Sequence, residues 1–195
     1  MPSIRLGRTD EALKATTNFI PSSLVKVACR GKSDQDVEAS KIQEKLVAGL
    51  SRIGTAEDET SVITDTIYLE IAVLVGHRKS AELLLSRLAS CSRYMTPHVY
   101  LKYIARHLGG GAALLERYNE ARQYYQEAIK ICTNMNFRPE LPLSRLQLAE
   151  LLLEHYPDEK KEALEHLDFA IKEFREMKMQ PSLERALRHK DILKA

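Results

Sequence analysis

A chain of 195 residues suits one domain or one short solenoid. Apolar residues make up 44% and charged residues 29%, and the Lys and Arg so nearly balance the Asp and Glu that the net charge is only +2. That balance argues against a strongly basic nucleic-acid surface. Gly and Pro are scarce, and Leu, Ala, Glu, Lys and Arg dominate, which favours helix over sheet.

Cys29, Cys91 and Cys132 are widely spaced, odd in number and without a C-x-x-C pair. They read as reduced, partly buried thiols. No apolar run approaches the ~20 residues of a membrane helix. The opening MPSIRLGRTDEALK has no apolar signal-peptide core. A cytoplasmic protein is expected.

In chain order, Gly7 marks a turn, Thr9 or Asp10 a cap, and Ala12, Thr16 and Phe19 one helix face, which Pro21 ends. Residues 22–33 are strand-like by composition at Leu24 to Ala28, but no other segment offers a strand to pair with, so a short helix or connector is preferred. Ser33-Asp34 caps a helix from Asp34 to Arg52 with Val37, Ile42, Leu46, Val47 and Leu50 on an imperfect stripe. After the polar loop of Thr55 to Thr60, Ile63, Ile67, Ile71 and Leu74 predict the inner face of a helix to Val75. Gly76-His77 is a turn, and Arg78 to Cys91 a helix with Ala81, Leu85 and Leu88 inward. Pro97 fits the first turn of a helix over Val99 to Leu115, and a second runs from Asn119 to Asn134. Phe137 to Pro142 is a linker. Leu143 to His155 follows, with Leu146, Ala149, Leu152 and Leu153 apolar. Tyr156-Pro157-Asp158 opens a helix over Glu159 to Lys178 whose inner face is Ala163, Leu167, Ala170, Ile171 and Phe174. Gln180-Pro181-Ser182 breaks it, and Ser182 to Leu193 makes a last helix with Leu183, Leu187 and Ile192 inward.

The second helices align by a small residue. Ala81-x3-Leu85-x2-Leu88, Ala121-x3-Tyr125-x2-Ala128 and Ala163-x3-Leu167-x2-Ala170 share one register. Position 121 less 81 gives a spacing of 40, and 163 less 121 gives 42. Two helices per period near 40 mean a helical solenoid. The small residue belongs where two helices cross closely, because a bulkier one overpacks at a cost of ~1–3 kcal/mol.

Leu108, Gly109, Ala112, Tyr118, Ala121, Tyr125 and Ala128 resemble the spaced small and large positions of tetratricopeptide repeats. Leu148, Ala149, Leu152, Ala163, Leu167 and Ala170 match again, with about two extra residues in the turn, and Ala72, Gly76, Ala81, Leu85 and Leu88 form a third copy. From about Leu101 onward the chain resembles the C-terminal repeat region of large bacterial signalling ATPases, the cyclase-associated and LuxR-type regulators. The phrases that carry this are GGGAALLERYNEARQYYQEAIKICTNMNFRPELPLSRLQLAELLLEH and ALEHLDFAIKEFREMKMQPSLERAL. LGRTDEAL at the start is similar to the second helix of another unit. No ATPase, cyclase or evident DNA-binding domain accompanies these repeats. The expectation is a fragment of such a regulator or a stand-alone relative. The resemblance implies an all-α, right-handed superhelical solenoid of antiparallel helix pairs. Its units would be irregular helices over 1–57, helix pairs over 58–97, 98–139 and 140–180, and a capping helix over 181–195.

The chemical motifs are weak. Gly31-Lys32-Ser33 matches the tail of a phosphate-binding loop, but Lys26 stands where the first glycine must be, so a surface turn is preferred. Gly109-Gly110-Gly111 costs a helix roughly ~1 kcal/mol per residue against alanine. Close packing explains Gly109 and leaves Gly110 and Gly111 without a reason. The six histidines form neither an H-x3-H nor an HExxH pair. His77-Arg78-Lys79 opens a helix, where the dipole disfavours cations, and an anion partner would offset this. Arg185, Arg188, His189 and Lys190 read as a solvated helix end.

On the family alignment the first helices line the concave wall, through Tyr103, Arg106, Gly110 and Leu114 in one unit and Leu143, Leu146, Gln147, Glu150 and Glu154 in the next. The residues expected to meet a partner are Tyr103, Arg106, Gln147, Glu150 and Glu154. The wall lacks the Lys/Asn pattern that clamps a peptide carboxylate, so an apolar helix or extended peptide is the expected partner. No catalytic residue, metal or cofactor is expected, nor a membrane or direct nucleic-acid partner. The main expectation is a non-enzymatic protein-interaction module. A small-ligand or nucleotide sensor is the alternative, and self-association into a homodimer is a third reading.

Overall fold

The computed structural model describes residues 62–92 and 104–194. The helices expected before Val62, the Gly31-Lys32-Ser33 turn, Cys29 and Tyr103 lie outside the described residues. Those described are helical, in the order α1 (Val62–Val75), α2 (Arg78–Leu88), α3 (Ile104–Leu114), α4 (Tyr118–Asn134), α5 (Leu141–His155), α6 (Lys160–Glu176) and α7 (Gln180–Lys194). Short 3-10 turns occupy Ala89–Cys91 and Pro157–Glu159. The chain divides into two compact units, Met1–Arg87 and Leu88–Ala195.

In the first unit, the inner face of α1 is rotated from the expected one. Asp65, Thr66, Tyr68, Leu69, Ile71 and Ala72 are buried, whereas Leu74 is 44% exposed and Ile63 and Ile67 are half-buried. Tyr68, Leu69 and Ala72 carry the inward stripe, and Asp65 falls on the same face. The Nε of Arg87 on α2 donates to the Asp65 carboxylate, and both side chains are almost wholly enclosed. A buried carboxylate is tolerable only when a cation meets it, and Arg87 supplies that cation.

In the second unit each helix packs on the next, α3 on α4, α4 on α5, α5 on α6 and α6 on α7, and α5 also touches α3 and α7. Of the alanine frame, Ala121 and Ala163 lie in the buried core of this unit, and Ala81 is buried in the first. Ala81, Ala121 and Ala163 are fully buried, as are Leu88, Ala128 and Ala170 to within 1%, and Leu85, Tyr125 and Leu167 to within 4%. All five expected inner residues of α6 are buried. Two adjustments fall in α5 and α7. On α5 Leu148 and Leu151 join Leu146, Ala149 and Leu152 inside, while Leu153 is half-buried. On α7 Ala186 is the buried residue and Ile192 is 73% exposed. Six residues turn an α-helix by ~600°, so Ile192 falls well away from Ala186, and the expectation that both ends of α7 face inward is corrected. Leu146, placed on the wall by the alignment, belongs to the core.

The turns follow one rule. Gly76, Glu116, Asn136 and Lys178 have φ of 72, 64, 50 and 56°. After each, the next amide bonds back across the helix end, from His77 to Ala72, Arg117 to Ala112, Phe137 to Cys132 and Met179 to Phe174, at 2.8–2.9 Å. This is the left-handed closure that satisfies the last carbonyls of a helix. α5 ends differently, since Pro157 follows Tyr156 and the 3-10 turn Pro157–Glu159 supplies the extra residues of that connection. Pro142 and Pro181 stand in the first turns of α5 and α7, where a missing N–H costs nothing. Residues 137–140 of the expected linker do connect α4 to α5, while Leu141-Pro142 and the expected break Gln180-Pro181-Ser182 are helix starts.

Candidate functional site

α5 carries three of the five expected contact residues, Gln147, Glu150 and Glu154, at spacings that put them along one helix stripe. α3 and α7 both touch α5. Arg106 on α3 is only 8% exposed. Its Nε donates to Oε1 of Glu140 at 2.5 Å and its Nη1 to Oε1 of Gln147 at 3.2 Å. The third contact is Nη2 to Nε2 of His107 at 3.1 Å. A guanidinium only donates, so His107 accepts through Nε2 and carries its proton on Nδ1. Glu140, the residue just before α5, is itself 4% exposed.

Glu150 belongs to a second group. Both of its oxygens accept from Arg185 on α7 at 2.5 Å, and Nε2 of His189 lies 2.9 Å from Oε1. Glu154 stands apart, with a side chain 75% exposed and His155 Nε2 at 3.8 Å. The structure thus joins Arg106 to Gln147, ties Glu150 to α7, and leaves Glu154 to solvent. Gly110 is buried within α3 and Leu114 is half-buried at its end.

Sequence reasoning missed several partners. Glu140 read as linker, and Arg185 and His189 read as a solvated helix end. Arg145 was given no role, yet it lies 4.2 Å over the Phe169 ring and its Nη1 is 3.4 Å from Nδ1 of His166. Burial lowers the pKa of Arg145. His166 is held below the ordinary histidine range, first by desolvation and then by the adjacent Arg145 charge. Its Nδ1 therefore accepts from Arg145, and Nε2–H points to Glu162 Oε1 at 3.6 Å. Arg122 on α4 forks onto Glu159 at 2.8 and 2.6 Å, and Arg138 reaches Glu173 and Glu176 on α6 at 2.9 and 2.5 Å. The signal that could have found these partners is spacing. Arg106–Glu140, Arg122–Glu159, Arg138–Glu173 and Glu150–Arg185 are separated by 34, 37, 35 and 35 residues, close to the period of the alanine frame.

The other candidate motifs are placed as follows. Gly109, Gly110 and Gly111 lie inside α3 and are buried, so their amides point along a helix rather than into a phosphate-holding loop. A Cβ on Gly109 would stand 2.5–2.9 Å from ring carbons of Tyr125, which makes Gly109 the point of close helix approach. His77 caps α2, its Nδ1 accepting from the Ser80 amide at 3.2 Å. Cys132 is buried and free, its thiol pushed up to about 12 by burial, which keeps it protonated and unreactive. Surface hollows of about 430 and 530 Å³ lie beside the Tyr118–His155 ring stack and along the Gln126–Asn134 side of α4. None of the expected contact residues lines either one. Among the described residues, no group of three or more His, Cys, Asp or Glu could hold a metal ion, and no helix is long and apolar enough to cross a membrane.

Neither a scan against protein-family models nor a search of curated proteins finds a match for this chain.

Proposed function

We propose that this chain is a non-catalytic protein–protein interaction module, a tetratricopeptide-like solenoid of long repeats acting in a cytoplasmic bacterial signalling or transcription-regulatory system. The reading rests on two recurring separations of similar size. Buried alanines recur every 40 or 42 residues, and ion pairs join residues 34–37 apart. Stacked helix pairs produce both, because each unit can bury its apolar side only against the next. A scaffold of this kind presents an extended wall of first helices. On this reading the wall is α3 and α5, with Arg106, Gln147, Glu150 and Glu154 as its polar positions, and the repeat alignment adds Tyr103. Its partner is an amphipathic helix or an extended peptide.

Arg106 and Glu140 are buried in an ion pair, so the test uses the exposed Glu154 and the position expected from the sequence, Tyr103, instead. The wild-type chain and the variants Glu154→Arg and Tyr103→Ala serve as baits in lysate of the organism that makes the chain. The expected result is one protein enriched by the wild type and depleted about tenfold by Glu154→Arg, a loss of ~1.4 kcal/mol, with thermal unfolding unchanged. Capture of the same protein by all three baits, or of none, sinks the proposal.

A further inference from the structure

The last helix is anchored unlike its neighbours. α4, α5 and α6 bury four, seven and five residues. On α7 Ala186 is the one residue fully enclosed among those whose side chains are described, while Leu183, Leu187 and Leu193 are half-buried. Its remaining attachments are ionic and lie at the surface. Arg185, 49% exposed, forks onto Glu150 of α5, His189 meets the same carboxylate, and Lys190 donates to Asp168 of α6. Ion pairs in solvent hold weakly, and segments with few buried apolar groups open before the rest of a structure. A three-residue connection, Met177 to Met179 with Lys178 left-handed, joins α7 to α6.

We infer that α7 is a displaceable strap that occupies, within the chain, the place of a cationic amphipathic partner helix on α5 and α6. The charge pattern defines the occupant. Glu150 and Asp168 supply two carboxylates, and α7 answers them with a guanidinium at 185 and an ammonium at 190, on either side of a small residue at 186. A competing helix needs Leu-x-Arg-Ala-Leu-x-x-Lys, or its chemical equivalent, along one face. The wall residue Glu150 is therefore available to a partner only when Arg185 lets go. The identity of the occupant rests on the protein-binding reading, but release of α7 does not.

The test uses the full chain and its own segment as probe, so it needs no unknown partner. Hydrogen exchange is followed in the wild type and in Arg185→Ala, which removes the fork but keeps Glu150, Ala186 and a good helix former. The α7 amides are expected to exchange faster than those of α5 and α6 in the wild type, and about threefold faster again in Arg185→Ala, with α5 and α6 unchanged. A fluorescein-labelled peptide of residues 180–194 is then titrated into both proteins. The tethered α7 competes at the high effective concentration of a short linker. The peptide is thus expected to bind Arg185→Ala about threefold more tightly than wild type, and to lose that gain when Glu150→Gln is added. Exchange of α7 in step with α5 and α6 overturns the strap. A fast-exchanging α7 with no peptide binding overturns the docking site. Lysate capture that fails while both results hold would count against the interaction module alone.

Discussion

A methyl group at position 109 would meet the Tyr125 ring at 2.5–2.9 Å, and Tyr125 is 4% exposed and has nowhere to go. Overpacking of this kind costs ~1–3 kcal/mol, and alanine regains about 1 kcal/mol of helix propensity. Gly109→Ala should therefore lower stability by about 1 kcal/mol, and Tyr125→Leu in the same chain should cancel most of the added cost. Urea midpoints of the single and double variants check this; a Gly109→Ala chain as stable as wild type would contradict it. Glu140→Ala strips the carboxylate from the buried Arg106 fork and should cost about 3 kcal/mol. Arg106→Met with Glu140→Leu, which removes both charges, should cost clearly less, as the same unfolding measurement will read. His166 gives a pH test. Its pKa is lowered in the fold by burial and by Arg145, so the unfolded chain holds that proton more tightly. The stabilisation is fully present above about pH 6.5, the unfolded value, and declines as the pH falls below it toward the folded value. His166→Gln should flatten the fall in stability between pH 7 and 5 relative to wild type.

The turns test the helices as units. Glu116 and Lys178 hold left-handed backbone that side chains disfavour, at a cost of ~1–2 kcal/mol. Replacing either with glycine should stabilise by about 0.5 kcal/mol after the added freedom of the unfolded chain is counted. Gly76→Ala, at φ 72°, should destabilise by about 1 kcal/mol. Thermal melts of the three variants check the opposite signs. Only one of these closures was readable in advance. Gly76-His77 carries the glycine signal, but Glu116 and Lys178 are ordinary helix formers that context forces over. α6 was legible throughout, because its inner residues are all apolar. α1 was not, because it carries apolar residues on more than one side and the inward face, with Tyr68, Leu69 and Ala72, also takes in the paired Asp65. α7 misled through Ile192, an apolar residue on the wrong side of Ala186.

At the scale of the molecule, register was legible and pairing was not. The spacing of Ala81, Ala121 and Ala163 was plain in the chain, since close helix approach admits few residue types. Which arginine meets which glutamate was not, because Arg106, Arg122, Arg138 and Arg185 are alike in sequence and only the stacking of units brings each to its acid. The same holds for the candidate site. Gln147, Glu150 and Glu154 were placed on one helix, but the engagement of Arg106 by Glu140 and of Glu150 by α7 needed the fold. Among the described residues expected to meet a partner, Glu154 is the exposed one, at 75%, and it marks the most direct test of the central claim. Carbodiimide labelling of carboxylates, with the captured partner bound and without it, reads that position by mass. The account predicts that the partner cuts labelling of Glu154 at least about fivefold while Glu165, exposed on α6, labels as before. Unchanged labelling of Glu154 with protection of the α6 carboxylates would place the partner elsewhere and contradict it.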